Sequence, residues 1–526
     1  MLKILNILLI LGLAIAIVNC QEIINIANGQ VRGNTFESHK EFLGIGFAEP
    51  PVDQLRWKSP VPASPWNDVY NATYERLPCA QICNLPPELC TNVSTEDCLY
   101  LNVFTPNIDF STIQEPLPVM FFIAGGRFEM GSGSGELYNG TKMVNSSNIV
   151  FVSINYRLGV FGMLQTDTIS GNLAFEDQLL ALKWVQQNIK AFGGDPTQVT
   201  VFGESAGGTS CALHLTSPAS AGLFSKIIIE SNPWSLPIKS IDEAKDLAKI
   251  FAKDIGCDIN DNACLYSKNQ EELLIAMNVS QNHFSVFSPL LTFLPWTPVV
   301  DGVLITDQPL ALIQKGDYNK VPVIVGTVRN EALVFVAGIA MDISKIEYIG
   351  GLIDIFGLTQ ELKIYELYKQ FINGSNFMDT LGVVGTDYIF VCPVRNAAMY
   401  LSTISNFPVY TYQFQHVSSF NPYGNGYDYC ADEVCHGLEL PYVFGNAGQY
   451  TFSPQEAILS TNMQNYWTNF ARNGNPNVGN PINVQWTQYT KSSDDMLTLD
   501  TPSYMQSDYL KTYCDYWDSL GYQVGW

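Results

Sequence analysis

Gly203, Ser205 and Gly207 set the pattern glycine-x-serine-x-glycine inside VTVFGESAGG, Val199 to Gly208. The run VTVF is β-branched and apolar and reads as a buried strand, while TSCALHL after Gly208 can be helical. A serine lifted on a tight turn between a strand and a helix is a nucleophile elbow. Such a turn leaves no room for a bulky side chain at either flanking glycine. It holds the serine hydroxyl above the sheet, where a base can reach it. The chemistry this allows is acyl transfer through a covalent serine intermediate. A pattern with so few fixed positions recurs in unrelated chains, so the strand before it and the helix after it give this one its meaning.

A serine hydroxyl is a poor nucleophile at neutral pH and needs a histidine base, itself oriented by a carboxylate. The chain has five histidines: His39, His214, His283, His416 and His436. In a hydrolase built on a sheet the order is serine, acid, histidine, which excludes His39. His214 falls in the helix leaving the elbow, and His283 in a polar connector ahead of the candidate acids. His416 follows directly on the strand-like FPVYTYQFQ and suits a structural role. His436, in EVCHGLELPYVFG, lies in a loop with a glycine after it and is the better placed base. For the acid, Glu331 follows the strand-like VPVIVG, and Asp301 follows TPVV. A lone glutamate is most often a solvated side chain, and spacing alone leaves both acids open. Asp432 and Glu433 are too near His436 in sequence to be its partner, although they can shape its field. No two histidines have metal-ligand spacing, and the cysteine pattern suits disulfides, so neither a metal nor a cofactor is expected.

These residues need a scaffold that brings distant segments together. PVMFFIAGG, NIVFVSINYRLG, QVTVFGESAGG and KIIIESNPW are apolar runs that read as strands, and VPVIVG and FPVYTYQFQ read as further strands of the same sheet. Between the second and third, DQLLALKWVQQNIKAF has its apolar residues at helical spacing. Strands alternating with helices predict a largely parallel sheet covered on both faces. The stretches Ile238 to Leu274 and Ile343 to Phe371 read as mostly helical. From Gln21 to about Ser111 the chain is turn-rich with short alternating segments. No repeat, low-complexity tract or clear linker interrupts it, so residues 21–526 read as one large domain.

Of 526 residues, 47% are hydrophobic and 15% charged, ample for a large core. Twenty-seven basic against fifty acidic residues give a net charge of −23, which repels phosphate backbones and excludes nucleic acid as a partner. The acidity reads most simply as solubility. The first twenty residues, MLKILNILLILGLAIAIVNC, have one lysine and then an apolar run from Ile4 to Val18 broken only by Asn6. They are expected to be a secretory signal peptide, residues 1–20, cleaved after Cys20. The run is short for a membrane span, and no later stretch is long enough for one. SLGYQVGW at the end has neither an apolar tail for a lipid anchor nor an ER-retention signal. Six sequons, at Asn71, Asn92, Asn139, Asn145, Asn278 and Asn373, agree with passage through the secretory pathway. So do twelve cysteines, of which eleven remain beyond Cys20. The odd one is expected to be Cys211, buried in the helix after the elbow. The protein is expected outside the cell or in the lumen of a secretory vesicle.

A wider set of motifs resembles the type-B carboxylesterases, the cholinesterase and carboxylesterase group of α/β-hydrolases. EDCLYLNVFTP, NYRLGVFG, GNLAFEDQLLALKWVQQNIKAFGGDPTQVTVFGESAGG, VGTVRNEA, HGLELPYVFG, TNFARNGNPN and CDYWDSL carry the resemblance, from about Gly29 to Trp517. It implies an α/β-hydrolase fold, a large, mostly parallel central sheet flanked by helices. It also implies Ser205 as nucleophile, Glu331 rather than Asp301 as acid, and His436 as base. Glu204 matches the acidic neighbour usual in the motif, an electrostatic aid. Disulfides Cys79–Cys98, Cys257–Cys264 and Cys392–Cys514 follow from the same resemblance. Cys83–Cys90 and Cys430–Cys435 are further short pairings that it does not supply.

Two departures from that pattern bear on function. Where these esterases carry a histidine or tyrosine, three glycines and phenylalanine, this chain reads AGGRF, Ala124 to Phe128. By resemblance the oxyanion hole uses the N–H groups of Gly126, Arg127 and Ala206. Arginine keeps the amide, but its Cβ resists the positive φ that glycine accepts. Its guanidinium must fill space beside the nucleophile, pair with Glu129 or Glu204, or attract an acyl carboxylate. Second, the loop from Cys79 to Cys98 has no aromatic residue, whereas a tryptophan there stacks on quaternary ammonium in cholinesterases. The acyl-pocket stretch, Thr292 to Trp296, reads TFLPW. The expected function is therefore a general carboxylesterase acting on a small-molecule ester, not an acetylcholine hydrolase. The competing expectation is a structural, storage or adhesion protein of the secretory pathway whose catalysis has decayed. The residues set no oligomeric state.

Overall fold

The computed structural model describes residues 20–522, apart from residues 87, 88, 92, 284–289, 291, 292 and 425. Fifteen strands are formed among them. β1 (Cys20–Ile26), β2 (Gly29–Thr35), β3 (His39–Gly46), β4 (Tyr70–Asn71) and β5 (Tyr100–Pro106) come from the turn-rich N-terminal segment. β6 (Leu117–Ile123), β7 (Val150–Ile154), β8 (Gly194–Glu204) and β9 (Lys226–Glu230) follow, and β10 (Lys239–Ser240) pairs β11 (Val299–Val300) in a small separate sheet. β12 (Val323–Val328), β13 (Val409–Phe414), β14 (Asp495–Leu499) and β15 (Tyr504–Ser507) complete the order.

The large sheet runs β1-β2-β3-β5-β7-β6-β8-β9-β12-β13-β14-β15, with β4 beside β2. From β7 across to β14 every neighbouring pair is parallel, and antiparallel strands flank that block on both sides. Both faces of the parallel block are buried, which is why its strands are continuous apolar runs rather than alternating ones. On β6, Val119, Phe121 and Ile123 point into one core while Met120 and Phe122 point into the other. The first core is closed by the helix Leu173–Asn188, through Ala181, Leu182 and Val185, and by the helix after the elbow. The second is closed by the helix Pro454–Asn473, through Met463, Trp467 and Phe470.

This is the α/β sheet covered on both faces that the alternating pattern predicts. The apolar patterns of the sequence mark the six central strands and the helices Leu173–Asn188 and Ala206–Thr216. They do not mark β14, β15, the extent of the antiparallel N-terminal strands or the helix Pro454–Asn473. β1, β14 and β15 are short or only partly buried, so hydrophobic periodicity marks them weakly. β3 and β5 are almost wholly buried but carry polar residues (His39, Lys40, Asn102 and Thr105) at buried positions, which breaks the pattern. The proposed signal peptide falls outside the described residues except for Cys20, which pairs with Thr35 as the first residue of β1. No helix among the described residues is long and apolar enough to cross a membrane.

Candidate active site

The C-terminal ends of parallel strands converge on one cavity, as expected for a sheet of this kind. β8 ends at Glu204, and Ser205 turns the chain with φ 60° and ψ −121° before the helix Ala206–Thr216 begins. The turn is possible because its neighbours lack side chains. A Cβ on Gly207 would lie 2.0 Å from the Ile123 carbonyl oxygen, and one on Gly203 would lie 2.5 Å from the same atom. Gly208 is as confined, 2.4 Å from the Glu230 carbonyl oxygen by the same construction. The Ser205 N–H donates to that carbonyl at 3.0 Å, which ties the elbow to β9.

Glu331 and His436 arrive from β12 and from the loop after β13. An isolated parallel bridge joins Asn330 to Cys435, so the acid and the base are the next residues along two paired segments. The Asn330 N–H donates to the Val434 carbonyl at 2.9 Å, and the Val434 N–H donates to Asn330 Oδ1 at 3.1 Å. Within this frame His436 Nδ1 lies 2.5 Å from Glu331 Oε2, while Glu331 Oε1 accepts the Val328 N–H at 2.8 Å. Glu331 is fully buried and His436 nearly so. Two aromatic rings flank the imidazole, Phe335 at 5.0 Å and Phe390 at 5.3 Å between centroids. Phe390 comes from a π-helical turn, Thr386–Val391, whose Thr386 hydroxyl accepts the Ala332 N–H.

His436 Nε2 forms no hydrogen bond with Ser205. It lies 3.1 Å from Glu204 Oε1 without the alignment of a hydrogen bond, and neither atom has another partner among the described residues. Burial, together with the charges of Glu331 and Glu230, holds the Glu204 carboxyl well above the ordinary carboxylate range. Glu204 is thereby pushed toward its neutral form, beside Nε2 of the base.

The glycine-rich loop faces the elbow. A Cβ on Gly125 would come within 3.1 Å of Ser205 Cβ. Gly126, Arg127 and Phe128 all have positive φ, at 114°, 61° and 63°. The resistance of arginine to that region is thus overcome and not avoided; the loop keeps a glycine-like path. The Ala124 carbonyl accepts Tyr156 Oη–H at 2.8 Å, and Gln81 both accepts from and donates to Gly131, at 2.8 and 2.9 Å. These bonds brace the loop at both ends. The N–H groups of Gly126, Arg127 and Ala206 donate to no acceptor among the described residues, so they are free to receive a ligand oxygen.

Of the alternatives open in the sequence, Asp301 belongs to a turn, its Oδ1 accepting the N–H groups of Val303, Leu304 and Ile305 at 2.8 to 3.0 Å. His416 sits between Asp500 and Glu456, at 3.2 and 3.4 Å. His214 is buried against Ser220, and burial pushes its imidazole down to about 3. His39 bonds Ser38 and Thr141 far from the elbow. The side chain of His283 and the residue Thr292 lie outside the described set. Glu433 is engaged by Arg329 at 2.9 Å.

The cavity above Ser205 has a volume of about 540 Å³. Its walls include residues that motif reasoning passed over: Tyr138, Tyr423, Tyr427, Tyr450 and Phe335. Only Phe335 had a signal, its position one helical turn after Glu331. The tyrosines come from three separate segments, and no spacing announces them. Tyr423 Oη–H donates to the His436 carbonyl and so also holds the base loop. The loop between Cys79 and Cys98 adds Asn84, Leu85, Pro86 and Leu89.

Five disulfides are present: Cys79–Cys98, Cys83–Cys90, Cys257–Cys264, Cys392–Cys514 and Cys430–Cys435. Cys211 is free and buried. Asn71, Asn139, Asn145, Asn278 and Asn373 are exposed; Asn92 lies outside the described residues. No cluster of metal-ligating side chains occurs among the described residues.

Residues 20–517 match the sequence profile of the carboxylesterase family. The cAMP-regulated D2 protein of Dictyostelium discoideum is 39% identical over 477 residues, covering 90% of this chain and 88% of that one. The crystal protein of the same organism is 38% identical over 511 residues, covering 94% and 90%. Among solved structures, a PNB esterase superposes with a TM-score of 0.80 at 32% identity, covering 94% of this chain and all of that one.

Proposed function

Since the chain belongs to the carboxylesterase family, we propose that it is a serine hydrolase that cleaves carboxylic esters through an acyl-serine intermediate. One observation carries the reading: His436 Nδ1 is held 2.5 Å from the buried Glu331 carboxylate, beside a serine raised on a glycine-flanked elbow. Ser205 Oγ attacks the ester carbonyl as its proton passes to His436 Nε2. Glu331 orients the imidazole and stabilises the imidazolium that forms. The developing oxyanion is received by the free N–H groups of Gly126, Arg127 and Ala206. His436 returns the proton to the departing alkoxide, and the same steps with water release the acid.

The substrate is a small ester for a general carboxylesterase, and acetylcholine is not its natural class. The Cys79–Cys98 loop contributes aliphatic and amide groups to the cavity but no aromatic face for a cation. The charge of Arg127 in the same cavity also opposes a quaternary ammonium group. For the compartment we propose the secretory pathway, either outside the cell or in a vesicle lumen. Five disulfides and five exposed sequon asparagines support that placement.

A second reading is a structural, storage or adhesion protein with weak or lost catalysis. It draws on the arginine in the oxyanion loop and on His436 Nε2 facing Glu204 instead of Ser205. A fluorophosphonate probe on the folded protein separates the two. The esterase reading expects covalent labelling of Ser205 that is abolished in Ser205→Ala; absence of labelling in the wild type sinks it. The Glu331→Gln variant should keep its fold and lose roughly 1,000- to 10,000-fold in kcat on an aryl ester, as for the equivalent change in other triads.

A further inference from the structure

We propose that Arg127 selects esters whose acyl group ends in a negative charge, such as the monoesters of short dicarboxylic acids. The inference rests on the serine-esterase reading above and adds the charge of its substrate.

Arg127 stands in left-handed backbone at φ 61°, a strained choice in a loop where glycine fits without strain. Its guanidinium lines the cavity with Ser205 and has few partners there. One terminal N–H reaches the Phe293 carbonyl at 3.4 Å, a weak contact. Glu129 Oε1 is 3.9 Å away, beyond hydrogen bonding, and Nε is buried with no partner among the described residues. A guanidinium has five N–H donors in a planar fork suited to a carboxylate. Among the described residues only one of them, the terminal N–H at Phe293, has a hydrogen-bond acceptor.

Its charge is balanced only loosely, by the 3.9 Å ion pair with the buried Glu129. Burial holds the Glu129 carboxyl above the ordinary range even though Arg127 and Lys239 draw it down. Among the described residues lining the cavity, Arg127 is the one permanent cation and Glu204 the one acid. Glu204 is itself pushed toward its neutral form. The cavity therefore offers an unfilled positive site inside a protein of net charge −23.

Of the two arms of an ester, the alkoxy arm must face His436, which returns a proton to it. The carbonyl oxygen goes to the N–H groups of the loop. The acyl arm is assigned to the Arg127 side because the guanidinium contacts Phe293, in the TFLPW stretch that the family resemblance marks as the acyl pocket. The reaction remains a hydrolysis. The acyl C–O bond breaks, water supplies the hydroxyl to the acyl carbon and the proton to the alcohol, and the new carboxylic acid ionises to solvent.

The test compares para-nitrophenyl hydrogen glutarate with para-nitrophenyl pentanoate, matched in chain length, after subtraction of the uncatalysed rate. The readout is the ratio of their kcat/KM values, because any change to Arg127 also alters the oxyanion loop and moves both rates. The wild type is expected to favour the charged ester by at least about ten-fold, the scale of one charge-assisted hydrogen-bonded pair. Arg127→Gln and Arg127→Gly should bring the ratio near one, and Arg127→Lys should retain part of it. Arg127→Gly also tests folding, since glycine adopts this backbone freely. A para-carboxyphenyl ester of butyric acid, charged on its leaving group, should gain nothing from Arg127. A wild-type ratio near one, a ratio that survives Arg127→Gln, or a preference confined to the leaving-group charge overturns the proposal. If no ester is cleaved and the probe fails to label Ser205, the esterase reading falls. Calorimetric binding of glutarate against butyrate then decides for the site alone: tighter glutarate binding lost in Arg127→Gln supports it, and equal binding overturns it.

Discussion

Gly207 has the least freedom of any residue at the elbow. A methyl group there would sit 2.0 Å from a backbone oxygen of β6, and no rotamer change relieves a clash with backbone. Gly207→Ala is accordingly expected to destabilise the fold by about 3 kcal/mol or more and to displace Ser205, which thermal denaturation and probe labelling read together. The requirement is local, so it is visible in the sequence as a pattern. The choice of acid is different. Glu331 and Asp301 look alike along the chain, and what separates them is that one meets an imidazole while the other closes its own turn. Arg127 shows both sides: its identity announces a departure in the sequence, but its positive φ and its unused donors exist only in three dimensions.

Elements place the triad through one short bridge. β12 delivers Asn330 against Cys435, and the disulfide Cys430–Cys435 closes the turn that carries the base. Replacing both cysteines by serine should cost about 2 kcal/mol, the loop-closure value for so small a ring. It should also loosen the His436–Glu331 register, lowering kcat more than it raises KM for a neutral aryl ester. A variant with unchanged kcat would show that the Asn330 bonds alone hold the register. The motif HGLELPYVFG marks where the base is, but the bridge joins segments about a hundred residues apart. Its partners are a backbone amide and an asparagine side chain, for which no residue pattern exists. The tyrosines that line the cavity were illegible for the same reason.

At the scale of the whole molecule, a minority of the carboxylates are buried, and several of these, Glu204, Glu230, Glu331 and Glu439, lie close together around the elbow and the base. Glu230 is fully buried behind the elbow, and its Oε1 accepts Trp467 Nε1–H at 2.5 Å while Oε2 has no partner among the described residues. Burial pushes its carboxyl from 4.5 up to about 7. Between those values the unfolded chain releases a proton that the folded chain keeps, so this group makes stability fall as pH rises through that window. Glu230→Gln keeps an oxygen for Trp467 and removes the titration. The variant is expected to be more stable than the wild type near pH 8, by about 1–3 kcal/mol, and to show no advantage near pH 4. Urea unfolding at the two pH values measures it; an advantage that does not grow with pH contradicts the account. Glu204 and Glu439, both raised by burial and by neighbouring carboxylates, push the same way.

The sequence by itself determined the sheet, the elbow, the family and the departure at Arg127. Each of these is written in contiguous residues: apolar runs make buried parallel strands, paired glycines make a tight turn, and a long series of motifs fixes a lineage. Spacing left the acid open and the family resemblance implied Glu331. Only the tertiary structure shows that Glu331 meets His436, that His436 Nε2 faces Glu204 and not Ser205, and that the guanidinium has no firm partner among the described residues. Those outcomes depend on distances between groups that are remote in the chain, and on burial, which sets whether a carboxylate near the base carries charge. Residue types state what chemistry is available; packing states which of it is assembled.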